Sequence, residues 1–190
     1  VLAFKVDPGV FSRFTNLKGI LATGAGVDGI FADKDVPTDL PIARIVDPYM
    51  TGQMVQWATY GVIHFYRRFP EYRALQDKRE WLELGEPAVM PPKVGVLGFG
   101  EIGSAIARGL LALGFHVHGW TRTPRDLGPF TNYAGLDQLD AFLAESHFLV
   151  SILPLTPATT GLLNAARLAK LPQGAVVLNL GRGAHVVTDD

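Results

Sequence analysis

The feature that most constrains this chain is Gly98-Phe99-Gly100-Glu101-Ile102-Gly103, set between two different hydrophobic periods. Before it, Lys93 to Gly98 is a Val/Leu run of strand length. After it, Ile102, Ile106, Leu110 and Leu113 fall on one face of a helix over Glu101 to Leu113. A G-x-G-x-x-G spacing at a strand-to-helix junction has a mechanical meaning. Gly98 permits the tight turn, Gly100 lets the backbone approach a pyrophosphate, and Gly103 lets helix and strand pack closely. Free N–H groups at the helix start, near Glu101 and Ile102, then face the phosphates. The loop is therefore expected to seat a dinucleotide.

The surroundings of the loop set the fold class. Residues 93–98, 115–120, 147–153 and 175–180 read as strands, and 101–113, 137–144 and 164–169 as helices. This alternation predicts a parallel sheet with crossover helices, a Rossmann-type doubly wound α/β layer. Four strands against the usual six make that layer incomplete. Upstream, Val1 to Val6, Leu17 to Ala22 and Pro41 to Val46 read as buried strands of a second α/β layer, with a short helix within Pro8 to Asn16. From Thr51, Met54, Ala58, Gly61/Val62, Phe65 and Phe69 recur at helical spacing, and Pro70 closes the pattern. Pro87, Pro91 and Pro92 mark a boundary. The expected organisation is part of a flavodoxin-like substrate lobe over 1–50, a hinge and dimerisation segment over 51–91, and a truncated coenzyme lobe over 92–190. Val1 reads as entering a strand without a preceding turn and 186–190 as the start of a helix, so the chain reads as a piece of a longer protein.

Composition excludes several classes. The 190 residues carry a formal net charge of −1, so nothing advertises nucleic acid or an anionic membrane. No apolar run reaches the roughly 18 residues of a membrane span, and the start lacks the features of a signal peptide. There are no cysteines, which excludes disulfides and thiolate chemistry. No metal site is expected, and a cytoplasmic enzyme fits.

The identity of the dinucleotide is decided one strand after the loop. An NAD site usually places an acid about 20 residues on, for the ribose 2′-hydroxyl. Here the chain reads Trp120-Thr121-Arg122-Thr123-Pro124-Arg125, with no acid before Asp126. A guanidinium and hydroxyls suit a 2′-phosphate, which an acid would repel. NADP(H) is expected rather than NAD(H), with Arg122 as the main contact and Thr121, Thr123 and Arg125 assisting.

Two further loops are expected at the carboxyl ends of the same sheet, where ligands sit in this architecture. They are Ser151 to Thr160, containing Leu153-Pro154-Leu155-Thr156, and Asn179-Leu180-Gly181-Arg182-Gly183. Arg182, between two glycines at a strand end, points a fixed cation into the crevice. Together with Thr23-Gly24-Ala25-Gly26-Val27-Asp28, these stretches resemble the D-isomer-specific 2-hydroxyacid dehydrogenases over essentially the whole chain. Gln53-Met54, Phe65 to Phe69 and Asn179 to Val186 look closest to the glyoxylate/hydroxypyruvate reductase branch.

The resemblance implies NADPH-dependent reduction of a small 2-oxo acid to the D-2-hydroxy acid. Arg182 would bind the substrate carboxylate and keto oxygen, and the Ala25 and Gly26 N–H groups would hold the other end of the carboxylate. Leu153, Pro154 and Thr156 would line the adenosine and ribose side, with Leu180 and Gly181 near the nicotinamide. The family's proton-donating His and its partner Glu come after the Asn-x-Gly-Arg-Gly segment, so the acid half of the mechanism is implied to lie outside residues 1–190. Structural or surface roles are expected for all five histidines, and a turn-capping role for Asp28.

Trp57, Tyr60, Phe65, Tyr66, Phe69, Tyr72 and Trp81 are too many for one buried helix face. Phe65 and Phe69 are expected in the core and the others at an interface; the resemblance implies a homodimer here. Two alternatives stand beside this reading. One is an NAD-linked relative acting on another 2-oxo acid. The other is a non-catalytic dinucleotide sensor or corepressor.

Overall fold

The computed structural model describes residues 1–4, 6–87 and 91–189. Lys5, residues 88–90 and Asp190, at the edges of three expected segments, lie outside the described residues. Two parallel sheets organise the chain.

The first sheet has three strands in sequential order, β1 (Leu2–Ala3), β2 (Ile20–Ala22) and β3 (Ile42–Arg44). A 3₁₀ turn over Phe11–Arg13 and a single-turn helix α1 (Asp28–Phe31) pack on one face. Ala3, Ile20 and Ala22 are buried there with Phe11 and Ile30. The expectation of fully buried strands is corrected on the other face, where Leu2 and Leu21 are 69% and 52% exposed. Side chains alternate across a strand, so a sheet covered on one side buries only every second residue.

Two helices follow. α2 spans Pro48–Tyr66, capped by the Asp47 carboxylate, which accepts from the Tyr49 N–H at 2.9 Å. α3 spans Phe69–Lys78. Pro70 therefore does not close a single helix; it sits in the first turn of the second, where its missing N–H costs nothing. The phase of α2 is also corrected. Val55, Ala58, Val62 and Tyr66 form its inward stripe, whereas Phe65 and Phe69 are 44% and 50% exposed. Apolar residues surround this helix, so sequence spacing alone fits two neighbouring stripes, and packing chooses between them.

The second sheet contains β4 (Lys93–Leu97), β5 (His116–Thr121), β6 (Thr131–Ala134), β7 (Phe148–Ser151) and β8 (Val176–Asn179). All pair in parallel, in the order β6-β5-β4-β7-β8. That makes five strands where four were expected. β6 escaped because Thr-Asn-Tyr-Ala is short, half-exposed and shows no clear alternation. α4 (Glu101–Ala112), α5 (Leu139–Ala144) and α6 (Ala165–Leu168) supply crossovers. α2 crosses one face beside α4: a Cβ on Gly61 would press on the Leu178 side chain at 2.8 Å, and one on Gly109 on Val55 at 3.0 Å. Ala58 and Val62 consequently share a core with Ile106, Ala107, Leu110, Val94, Val96 and Val150. Among the described residues, no helix is long and apolar enough to cross a membrane.

Candidate functional site

The strand order reverses at β4: β5 and β6 lie to one side, β7 and β8 to the other. Crevices open at such a switch point, beyond the carboxyl ends of the strands. The glycine loop occupies that position. Gly98 has φ of +104°, a conformation that favours glycine, and its N–H donates to the Trp120 carbonyl at 3.1 Å. A Cβ on Gly103 would collide with the Gly98 carbonyl oxygen, so only glycine lets α4 start this close to β4. A Cβ on Gly100 would meet nothing within 4 Å. The turn above it is open to an approaching group.

Gly100 is the N-cap of α4 and has no side chain to satisfy the first-turn donors. The N–H groups of Glu101, Ile102 and Gly103 precede Ser104, whose N–H is the first to donate within the helix, to the Gly100 carbonyl at 2.9 Å, and they carry the positive end of the helix dipole. The open space at Gly100 and these unpaired donors suit a pyrophosphate. Ile102 supplies only its backbone, because its side chain packs on the core.

The turn after β5 borders a cleft of about 720 Å³ lined by Arg122, Pro124, Arg125, Asn132, Gln138 and Asp137 among others. Arg122, Thr123 and Arg125 are exposed. Thr121 is buried, and its hydroxyl lies 2.8 Å from the Thr123 carbonyl and 2.9 Å from Asn132 Oδ1. Asn132 in turn donates to the Arg125 carbonyl at 2.7 Å. Thr121 and Asn132 thus hold the arginine turn in shape from within. Asp137 is the one carboxylate on the cleft lining.

The other expected contacts divide similarly. Leu153 is buried against Leu97 and Trp120, and its carbonyl lies 3.0 Å from where a Gly181 Cβ would stand. Pro154 and Thr156 are exposed. Thr159, which sequence reasoning did not single out, ties this loop: its hydroxyl contacts the Pro154 carbonyl at 2.7 Å and accepts from the Thr156 N–H at 2.9 Å. Leu180 donates its N–H to Ser151 at 2.8 Å, and Gly181 donates to Asn179 Oδ1 at 3.2 Å.

Arg182 is the most constrained of the site residues. Its carbonyl accepts from Asn179 Nδ2 at 2.9 Å and from the His185 N–H at 3.1 Å. Its own N–H donates to His185 Nδ1 at 3.2 Å. With Nδ1 accepting, the His185 ring proton is on Nε2, facing the Pro154 carbonyl at 3.4 Å. Burial pushes this imidazole below its ordinary pKa, so it is a neutral brace between two loops.

The Arg182 guanidinium reaches across to the first sheet. Nε and Nη2 donate to the two carboxylate oxygens of Asp28 at 3.1 and 3.0 Å, a bidentate pair between residues 154 apart. This corrects the turn-capping role expected for Asp28: no side chain caps the start of α1, and the carboxylate points at the arginine. The hydrogen bond from Arg182 holds the Asp28 carboxyl below the usual carboxylate range. Nη2 also lies against Gly26, where any Cβ would strike it. The N–H groups of Ala25 and Gly26 have no acceptor among the described residues.

Residues 60–190 match the family model of the D-isomer specific 2-hydroxyacid dehydrogenase, NAD binding domain. The chain belongs to the D-isomer specific 2-hydroxyacid dehydrogenases. Within that family it is 40% identical over 179 residues to glyoxylate/hydroxypyruvate reductase A of Serratia proteamaculans, covering 92% of this chain and 57% of the relative. A D-isomer specific 2-hydroxyacid dehydrogenase from Xanthobacter autotrophicus, solved with NADPH and MES, superposes with a TM-score of 0.91 at 42% identity, over 97% of this chain and 58% of that one. The NADPH-dependent glyoxylate/hydroxypyruvate reductase of Sinorhizobium meliloti, solved with NADP and sulfate, gives 0.90 at 40%, over 100% and 61%. The chain thus spans about three-fifths of the length of these dehydrogenases. Among its described residues, no group of three or more His, Cys, Asp or Glu could hold a metal ion.

Proposed function

We propose that this chain is the cofactor-binding and substrate-anchoring part of an NADPH-dependent reductase that converts glyoxylate or hydroxypyruvate to the D-2-hydroxy acid. One observation carries the reading: Arg182, just after the edge strand β8, is fixed beside the free N–H groups of Ala25 and Gly26, and it lies at the same carboxyl end of the second sheet as the glycine loop. Relatives at about 40% identity are named for this activity. Bound NADPH supplies the hydride. The chain's own residues do the rest of the positioning. The Ala25 and Gly26 N–H groups bind the substrate carboxylate. Arg182 orients the keto group and stabilises negative charge growing on its oxygen. The α4 N-terminus receives the pyrophosphate, and Arg122 with Arg125 binds the 2′-phosphate. His185 is not the proton donor in this reading, because its ring braces the Arg182 N–H and the Pro154 carbonyl.

In this reading residues 1–50 belong to a substrate lobe, 92–190 to a coenzyme lobe, and 51–91 to a hinge and dimerisation segment of a cytoplasmic homodimer. Trp57, Tyr60, Phe65, Phe69 and Trp81 supply its exposed aromatic surface, with Trp81 fully exposed. The deciding assay follows NADPH oxidation by the full-length protein with glyoxylate and with hydroxypyruvate. Turnover with NADPH well above that with NADH is expected; NADPH binding without turnover of either acid would leave a dinucleotide sensor instead. A monomeric mass at micromolar concentration would exclude the dimer.

A further inference from the structure

We infer that Asp28 is a positioning residue for 2-oxo acid binding, holding one edge of the Arg182 guanidinium so that the other is presented to the substrate. The inference rests on the proposed reduction of a 2-oxo acid at Arg182. A guanidinium has five N–H donors in a rigid planar fork. Asp28 takes the Nε–Nη2 edge in a bidentate pair. Nη1 has no hydrogen-bond partner among the described residues, so the Nη1–Nη2 end remains available to a carboxylate or keto oxygen. Asp28 and a bound substrate therefore occupy different edges of one cation and need not compete.

The placement of Asp28 explains why an acid is useful there. It begins α1, two residues after Gly26, on the turn whose N–H groups would receive the substrate carboxylate. Arg182 belongs to the other sheet and is braced by Asn179 and His185. The ion pair therefore fixes the separation between the two halves of the anion site, which come from opposite ends of the chain. Gly26 contributes by lacking a Cβ, which lets Nη2 settle on the backbone. Preorganised geometry of this kind is worth much more than the modest attraction of a partly exposed ion pair. Sequence inspection offers no sign of the pairing, because both residues lie in short glycine-rich turns.

The test uses the full-length protein with Asp28→Ala and the near-isosteric Asp28→Asn. Three quantities are measured: NADPH affinity by fluorescence, steady-state kinetics with glyoxylate, and oxalate affinity by calorimetry with NADP present. Asp28→Ala is expected to weaken oxalate and raise the glyoxylate KM by about tenfold, and to lower kcat, while NADPH affinity stays within about twofold. Asp28→Asn keeps one acceptor oxygen and should fall between wild type and Asp28→Ala. Wild-type or tighter oxalate binding by Asp28→Ala would overturn the inference and make Asp28 an occupant that substrate displaces. Parallel loss of NADPH and oxalate binding in both variants would overturn it too, by showing a general structural role. If wild type reduces neither glyoxylate nor hydroxypyruvate but binds oxalate through Asp28, the reductase reading falls and the positioning role stands. If wild type binds no oxalate, both fall.

Discussion

Both sheets of this chain are parallel, but they use their faces differently. In the second, Val94, Val96, Leu97, Leu149 and Val150 are buried, because helices cover both sides. In the first, Ala3, Ile20 and Ala22 are buried on one side while Leu2 and Leu21 stand exposed on the other. The difference assigns two kinds of work. A doubly covered sheet holds a loop rigidly, as the proposed phosphate cradle over 98–103 requires. A singly covered sheet with a small core leaves its turn at 24–28 dependent on a distant partner, here Arg182.

The contrast can be broken most directly in the core. Leu149→Ala removes a fully buried side chain of the second sheet and should cost about 4 kcal/mol in urea denaturation. Gly103→Ala drives a methyl group onto the Gly98 carbonyl; a loss of about 3 kcal/mol is expected, together with most of the NADPH affinity. Retained NADPH binding in that variant would mean that the loop is less rigid than its packing requires. Arg122→Ala should leave stability alone and weaken NADPH by about 2 kcal/mol, roughly thirtyfold, with NADH nearly unaffected. Equal losses for the two cofactors would remove the 2′-phosphate assignment.

Acidification sharpens the comparison at smaller amplitude. Burial pushes the His118 imidazole down, below its ordinary 6.5, so it stays neutral in the fold while the unfolded chain takes up a proton. Its contribution is therefore fully present above about pH 6.5 and declines as the pH falls below that value. His185 shifts in the same direction, and residues 1–46 contain no histidine. Melting temperature should accordingly drop between pH 7 and 5.5, and His118→Phe should flatten part of that slope. Ser146 Oγ keeps its bond to the Phe142 carbonyl in that variant, so no buried hydroxyl is orphaned. The Asp28 pair acts elsewhere. Its carboxyl is held down by Arg182, so that stabilisation is lost only as the pH falls below about 4. The smallest effect is expected at the exposed face of the first sheet, where Leu21→Ala should stay within about 0.5 kcal/mol. A loss of several kcal/mol there would show that this face is covered in the full-length protein.

The sequence by itself determined what neighbouring residues decide. The strand–glycine loop–helix unit is a local pattern, and so are the missing acid after β5 and the arginine between Gly181 and Gly183. Each constrains backbone or charge within a few residues. Tertiary structure alone decided the rest. It added β6, whose four half-exposed residues carry no periodic signal, and it chose Val55, Ala58, Val62 and Tyr66 as the inward stripe of α2. It also turned Thr121 inward and brought Asp28 to Arg182. Those outcomes depend on which surfaces meet in space, and two short turns separated by most of the chain leave no periodic trace of their pairing.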